Sequence, residues 1–109
     1  MILNRLIFPE GNKLEFTVNH KENNEKYEPE QGEKYYISIS LPKEPFETLM
    51  TFTSDDNHFS VLSGIDYGEY VFEIGIKDSS DDSRIILPAV DERGNPLNQL
   101  IILRRLKNE

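Results

Sequence analysis

The stretch that decides the fold occupies residues 66–76 and reads Asp-Tyr-Gly-Glu-Tyr-Val-Phe-Glu-Ile-Gly-Ile. From Tyr70 onward, every second side chain is a large apolar one, and Glu73 and Gly75 lie between them. A period of two with one apolar face is typical of a β-strand that is buried on one side. We therefore predict a half-buried strand whose core face carries Tyr70, Phe72, Ile74 and Ile76.

The residues that lead into this strand have the spacing Asp-x-Gly-x-Tyr-x-Phe, formed by Asp66, Gly68, Tyr70 and Phe72. This spacing is typical of a tyrosine corner in immunoglobulin-like sandwiches, where a tyrosine returns its hydroxyl to the backbone just upstream. Phe72 stands where an antibody domain has its second cysteine. We predict that these four residues form a structural corner, with Phe72 as a core side chain in place of a disulfide.

The rest of the chain adds further short strands separated by turn residues. Strand patterns occur at 2–8, 13–19, 34–41, 46–53, 58–61, 84–90 and 100–106. The polar segment 20–31 has no apolar stripe and is interpreted as a loop, and no segment has the period of an amphipathic helix. The sequence therefore predicts an all-β fold in one domain, residues 1–109. We expect an immunoglobulin-like antiparallel sandwich of about eight strands in Greek-key order.

The composition excludes several classes of function. The 109 residues contain no cysteine, which removes thiolate nucleophiles, disulfides and cysteine-based zinc sites. A net charge of −8 disfavours binding to nucleic acid, because the protein and the phosphate backbone would repel each other. There is no leader pattern and no apolar run long enough to cross a bilayer, so we expect no membrane partner.

Catalytic candidates are few, because the only histidines are His20 and His58. A serine–histidine–aspartate set could be assembled from Ser60 or Ser63, His58 and Asp55. It lacks the strained turn that exposes a nucleophilic serine and any evident oxyanion hole. We therefore expect a protein that is not an enzyme, with no catalytic residue, cofactor or metal site.

Two features leave a ligand-binding alternative open. The acidic loop 78–83 could gather oxygen ligands for calcium, although it lacks the spacing of a calcium-binding loop. Tyr27, Tyr35, Tyr36 and Tyr67 could form a stacking platform, although Tyr35 and Tyr36 point to opposite sheet faces. The alternative function is an immunoglobulin-like ligand-binding module, such as an adhesin or a carbohydrate-binding domain.

The strand at 100–106 is apolar on both faces at its start, which indicates that another element covers its outer face. In a domain of this size, that element could belong to another subunit. The apolar segment 2–8 could be an edge strand or an arm that lies on a second subunit. The residues that we predict at an assembly interface are Ile2, Leu3, Leu6, Ile101 and Leu103.

The order of several segments resembles a known family. The segments 11–18, 29–32, 36–39, 67–74 and 84–88 follow one another as in the small β-sandwich domain at the N-terminus of phage baseplate upper proteins and related tail structural proteins. This resemblance implies a non-enzymatic structural protein of a phage or prophage. It further implies self-association or binding to other phage structural proteins, and a location in the virion after assembly in the host cytoplasm.

Overall fold

The fold consists of β-strands. A computed structural model describes residues 2–62 and 64–106, apart from the side chain of Leu62. No helix occurs in this part of the chain, which confirms the predicted all-β class. The ten strands are β1 (Asn4–Pro9), β2 (Lys13–Thr17), β3 (Lys21–Glu22), β4 (Glu25–Lys26), β5 (Lys34–Ser40), β6 (Thr48–Ser54), β7 (His58–Leu62), β8 (Gly68–Lys77), β9 (Ser83–Leu87) and β10 (Asn98–Leu103).

The larger sheet has six strands in the order β1-β10-β8-β5-β6, and β9 also pairs with β8. The strand β10 pairs with the first part of β8 and β9 with its last part, so the two share one edge of β8. β2 and β7 form a second sheet, and β3 and β4 form a short hairpin. The larger sheet is mixed, because β1 runs parallel to β10. The expectation of antiparallel pairing throughout is therefore wrong at this pair.

The core lies between the larger sheet and the β2–β7 sheet. All four predicted core residues of β8 are at most 8% exposed and belong to one core cluster, as predicted. The second sheet contributes Leu14 and Phe59, which are 2% and 1% exposed. Each large apolar side chain buried in this way stabilises the fold by about 1.5–3 kcal/mol relative to an exposed one.

The strand β8 is buried on its outer face as well, which differs from the predicted half-buried strand. Val71 is 0% exposed, although it points away from the core. The segments 42–47 and 88–97 approach each other over this face, since a Cβ atom on Gly94 would lie 3.3 Å from the ring of Phe46. The outer layer of β8 is therefore covered by loops of the same chain.

The hairpin of β3 and β4 lies in the segment that we interpreted as a loop. Its two turn residues are Asn23 and Asn24, with φ angles of 55° and 65°. Asparagine tolerates positive φ, and two such residues form the tight turn whose twist matches a hairpin. The Asn23-Asn24 pair is therefore the sequence signal that could have predicted this hairpin.

Candidate functional site

The two ends of the chain lie side by side in the larger sheet. Residues of β1 pair in register with those of β10, with Ile7 opposite Ile101. Within the described residues, the first strand therefore pairs with the last strand of the same chain. β1 is also the outermost strand of the sheet order, so one of its edges pairs with none of the described strands.

The five residues predicted at an interface are all in or next to these two strands. Leu3 and Leu103 are 50% and 48% exposed, and Ile2 is 38% exposed. Ile101 is half-buried. Leu6 is also half-buried and packs against the core, because it alternates with the outward-facing residues of β1.

Ile7 is 52% exposed and was not among the residues predicted from the sequence. The alternation that turns Leu6 and Phe8 toward the core turns Ile7 to the outer face, beside Ile101. We call four residues the outer strip: Leu3, which precedes β1, and Ile7, Ile101 and Leu103. Grouped exposed apolar side chains of this kind are a common mark of an interaction surface.

Basic side chains border the outer strip. Arg5 Nε donates a hydrogen bond of 3.0 Å to Gln99 Oε1, in the same cross-strand register. The guanidinium of Arg104 lies 5.2 Å from the ring centre of Tyr67, and Arg105 follows it at the exposed end of the segment. This part of an acidic protein is therefore locally rich in arginine.

The structural corner has a defined geometry at the start of β8. The Tyr70 hydroxyl donates a hydrogen bond of 2.9 Å to the carbonyl oxygen of Asp66. Burial, followed by the charge of Asp66, raises the pKa of Tyr70. Gly68 has a φ of 148°, which side-chain-bearing residues rarely adopt, and Phe72 is 1% exposed. These contacts fix the backbone and bury the aromatic rings inside the protein.

A polar cluster connects the β3–β4 hairpin to β9. The Tyr27 hydroxyl donates to the Glu33 carboxylate, and Arg84 lies 5.0 Å from the centre of the Tyr27 ring. Arg84 also pairs with Glu22 at 3.1 Å. The hydrogen bond to Glu33 is the main cause that raises the pKa of Tyr27 to about 12, and it lowers the pKa of Glu33. The polar groups of Tyr27, Glu33, Glu22 and Arg84 therefore find partners within the cluster.

The candidate catalytic set does not come together in the described residues. Its members are Ser60 or Ser63, His58 and Asp55, of which Ser63 lies outside the described residues. The ring of His58 contacts Thr17 Oγ1 at 3.1 Å and Glu15 Oε1 at 3.6 Å. The side-chain contacts of His58 therefore go to β2 rather than to a serine.

The acidic loops use their carboxylates as backbone acceptors. Asp78 Oδ1 accepts hydrogen bonds from the N–H groups of Ser80 and Asp82, at 2.8 and 3.1 Å. Asp91 Oδ1 accepts two N–H groups of its own loop in the same way. Among residues 2–62 and 64–106, no three histidine, aspartate or glutamate side chains are grouped to hold a metal ion.

The four tyrosines considered as a stacking platform lie in different environments. Tyr35 is fully buried in the core, and its hydroxyl has no hydrogen-bond partner in the part of the chain that the structure describes. Tyr36 is buried on the outer face of the sheet, Tyr27 lies in the polar cluster, and Tyr67 is 51% exposed. Because Tyr35 and Tyr36 are buried, the four rings do not form one exposed stacking surface.

A groove of about 320 Å³ lies on the outer face of the larger sheet. Ser38, Val71 and Glu73 are on its sheet side, Phe46 belongs to one flanking segment, and residues 88–90 belong to the other. Tyr36 donates a hydrogen bond of 2.9 Å to Glu73 Oε2. The groove thus combines apolar walls with one carboxylate.

Comparison with known protein families, with curated proteins and with solved structures found no match. The described ranges contain no helix of the length and apolar character needed to cross a membrane. The outer strip beside the outermost edge of β1 groups three large apolar side chains that are each about half exposed, Leu3, Ile7 and Leu103.

Proposed function

We propose that the protein is a non-enzymatic assembly component that docks through the outer strip, and that the assembly is the tail or baseplate of a phage or prophage. The observation that carries the docking part is the exposed apolar strip beside an unpaired strand edge. The phage part is supported by the order of sequence segments that resembles baseplate upper proteins.

The exposure of the outer strip is unfavourable in an isolated subunit. Leu3, Ile7 and Leu103 are each about half exposed. Burying apolar surface contributes roughly 25 cal/mol per Å², so a partner that covers these side chains gains affinity from them. A free strand edge adds backbone donors and acceptors that an incoming strand can pair.

The scaffold that we propose for this surface is an immunoglobulin-like sandwich with Greek-key connections. The tyrosine corner of Tyr70 and Asp66 and the packing of β2 and β7 over the larger sheet support this assignment. Such a scaffold holds both terminal strands rigidly at one edge. The partners would be other structural proteins of the particle or a second copy, and the assembled protein would belong to the virion after assembly in the host cytoplasm.

A photo-crosslinking residue at Leu103 tests the proposed function. The variant would be expressed in a host that produces the particles, and adducts would be identified by mass spectrometry. The matched control is Leu49, which is 43% exposed on β6 at the opposite end of the sheet order. We expect particle proteins in the Leu103 adducts and not in the Leu49 adducts. Particles that lack the chain, or equal adducts at both positions, would contradict the proposal.

The outer-face groove favours a second candidate, a ligand-binding module of the adhesin or carbohydrate-binding kind. Phe46 offers an apolar ring and Glu73 a carboxylate that can accept hydrogen bonds from sugar hydroxyls. A glycan array tests this candidate with the wild type and a Phe46→Ala variant. Binding that the variant loses would favour the module, and an array without any binding would exclude the glycan form of this function.

A further inference from the structure

We propose that β1 of one subunit pairs antiparallel with β1 of a second copy, with Ile7 opposite Ile7 at the two-fold axis. The two larger sheets would then form one continuous sheet across the dimer. This inference rests on the docking surface of the proposed function and names its partner as the same chain.

The backbone of β1 provides the donors and acceptors for this pairing. The N–H groups of Asn4 and Glu10 donate to the β10 side, at 3.4 and 2.8 Å. Alternate residues of a strand point their peptide groups to opposite edges. The N–H and C=O groups of Arg5 and Ile7 therefore point to the free edge, where they are available to a second strand.

Directly opposed residues of an antiparallel strand pair lie on the same face of the sheet. A two-fold pairing in the middle of β1 can therefore be centred either on Leu6 or on Ile7. A register centred on Leu6 places Arg5 opposite Ile7, so the two Arg5 residues are about 7 Å apart along the strands. A register centred on Ile7 places Arg5 opposite Pro9 and separates the arginines by about 13 Å. That distance exceeds the Debye length of about 8 Å at physiological salt, so the repulsion is screened. Charge thus favours the Ile7-centred register.

The side chains favour the same register. On the core face, Leu6 of each copy lies opposite Phe8 of the other, and both residues already pack against the core of their own subunit. On the outer face, the Ile7 side chains meet at the axis. Because Ile7 lies beside Ile101 in each subunit, the two outer strips join into one apolar band across the dimer.

Pro9 ends the segment of β1 that can pair with the second copy. Proline has no N–H to donate, so the ladder ends at Pro9. The two Ile7 residues exchange two backbone hydrogen bonds, and each Arg5 N–H would share the Pro9 carbonyl oxygen of the other copy with the N–H of Asn12, which lies 3.2 Å from it. The interface uses the same patch on both subunits and is therefore closed. Its small area predicts a weak dimer that depends on protein concentration.

Cysteine crosslinking tests the inference, because the chain contains no cysteine of its own. In the Ile7-centred register, an Ile7→Cys variant has its two Cα atoms about 5.5 Å apart, within the range that a disulfide spans. The matched control is Leu49→Cys, on the other outermost strand with similar exposure. Mild oxidation at high micromolar concentration should crosslink Ile7→Cys about tenfold faster than Leu49→Cys, because pairing raises the local thiol concentration.

Two further measurements complete the test. Light scattering coupled to gel filtration should show a concentration-dependent dimer for the wild type and a monomer for Ile7→Lys. Arg5→Cys should crosslink no faster than Leu49→Cys, and faster crosslinking there would overturn the Ile7-centred register. A strictly monomeric wild type with equal rates for Ile7→Cys and Leu49→Cys would overturn self-pairing. In that case, adducts of Leu103 with a different particle protein would still support the proposed function.

Discussion

Tyr36 lies across Gly75 on the neighbouring strand of the sheet, directly opposite it in the register of β5 and β8. A Cβ atom on Gly75 would lie 2.5 Å from Cε2 of Tyr36 and 2.5 Å from the carbonyl oxygen of Arg84. The tyrosine ring thus takes the space that a side chain at residue 75 would need. An aromatic ring across a strand glycine compensates for the packing that glycine lacks.

We predict that Gly75→Ala destabilises the protein by about 1–3 kcal/mol, the usual cost of overpacking a filled site. The ring of Tyr36 can rotate away, but the carbonyl of Arg84 belongs to the strand β9 that pairs with β8. The methyl group therefore has to displace backbone. Urea denaturation of the wild type and the variant measures this difference.

Gly64→Ala is the matched control for this experiment. A Cβ atom at Gly64 would have no heavy atom within 4 Å. We expect a change within about 0.5 kcal/mol, as for most exposed positions. An equal loss of stability in the two variants would show that the close approach at Gly75 is not the cause.

The corner at the start of β8 predicts that Tyr70→Phe lowers stability by about 1 kcal/mol. The substitution removes the hydrogen bond of 2.9 Å to the Asp66 carbonyl and keeps the buried ring. Tyr67→Phe is the control, since Tyr67 is 51% exposed and has its ring beside Arg104. Thermal or urea unfolding checks both variants. Unchanged stability of Tyr70→Phe together with lost partner binding would contradict the structural role.

Features that depend on neighbouring residues could be predicted from the sequence. The core face of β8 follows from strict alternation between Tyr70 and Ile76, because the pleat of a strand fixes which side chains share a face. The hydroxyl of Tyr70 reaches a carbonyl only four residues upstream. Such local geometry leaves a regular pattern in a single sequence.

Pairing between distant segments could not be predicted in this way. Asn4 and Asn98 are 94 positions apart, and their side chains meet because β1 and β10 run parallel. Nothing in either segment alone fixes this register, which decides that Leu6 faces the core and Ile7 the surface. The residues predicted at an interface therefore did not include Ile7, which the structure leaves exposed opposite Ile101.

The buried amide of Asn98 predicts that substitutions at Asn98 and Asn4 have coupled effects on stability. Its side chain is 0% exposed, donates to the carbonyl oxygen of Pro88 at 2.7 Å and accepts from Asn4 at 2.7 Å. Asn98→Leu should cost about 1–3 kcal/mol, because it removes both hydrogen bonds of a buried side chain. A double-mutant cycle with Asn4→Ala should give an interaction energy of about 0.5–3 kcal/mol. Strictly additive effects would show that the two amides act independently.

The lowered pKa of Glu33 predicts that the unfolding free energy decreases at acidic pH. Hydrogen bonds from Tyr27 and from the backbone of Glu30 lower its pKa below the ordinary value of 4.5. A lowered pKa in the folded state contributes stability that is present above the ordinary value and is lost as pH falls through the folded value. We expect Glu33→Gln to flatten the fall in unfolding free energy below pH 4.5, measured by urea titration at several pH values. An acid limb as steep as that of the wild type would contradict this role.

The raised pKa of Tyr27 predicts that the folding stability falls at alkaline pH. Its pKa is raised from 10.0 to about 12, chiefly by the hydrogen bond to Glu33. The folded state therefore keeps the phenol proton where the unfolded chain loses it, so the contribution is full below pH 10 and is lost as pH rises toward 12. Tyr36 has a pKa of about 12 as well, mainly because of burial. Tyr27→Phe should therefore reduce, but not abolish, the alkaline slope of the unfolding free energy. A slope identical to the wild type, with Glu33→Gln also unchanged, would show that this hydrogen bond does not form in solution.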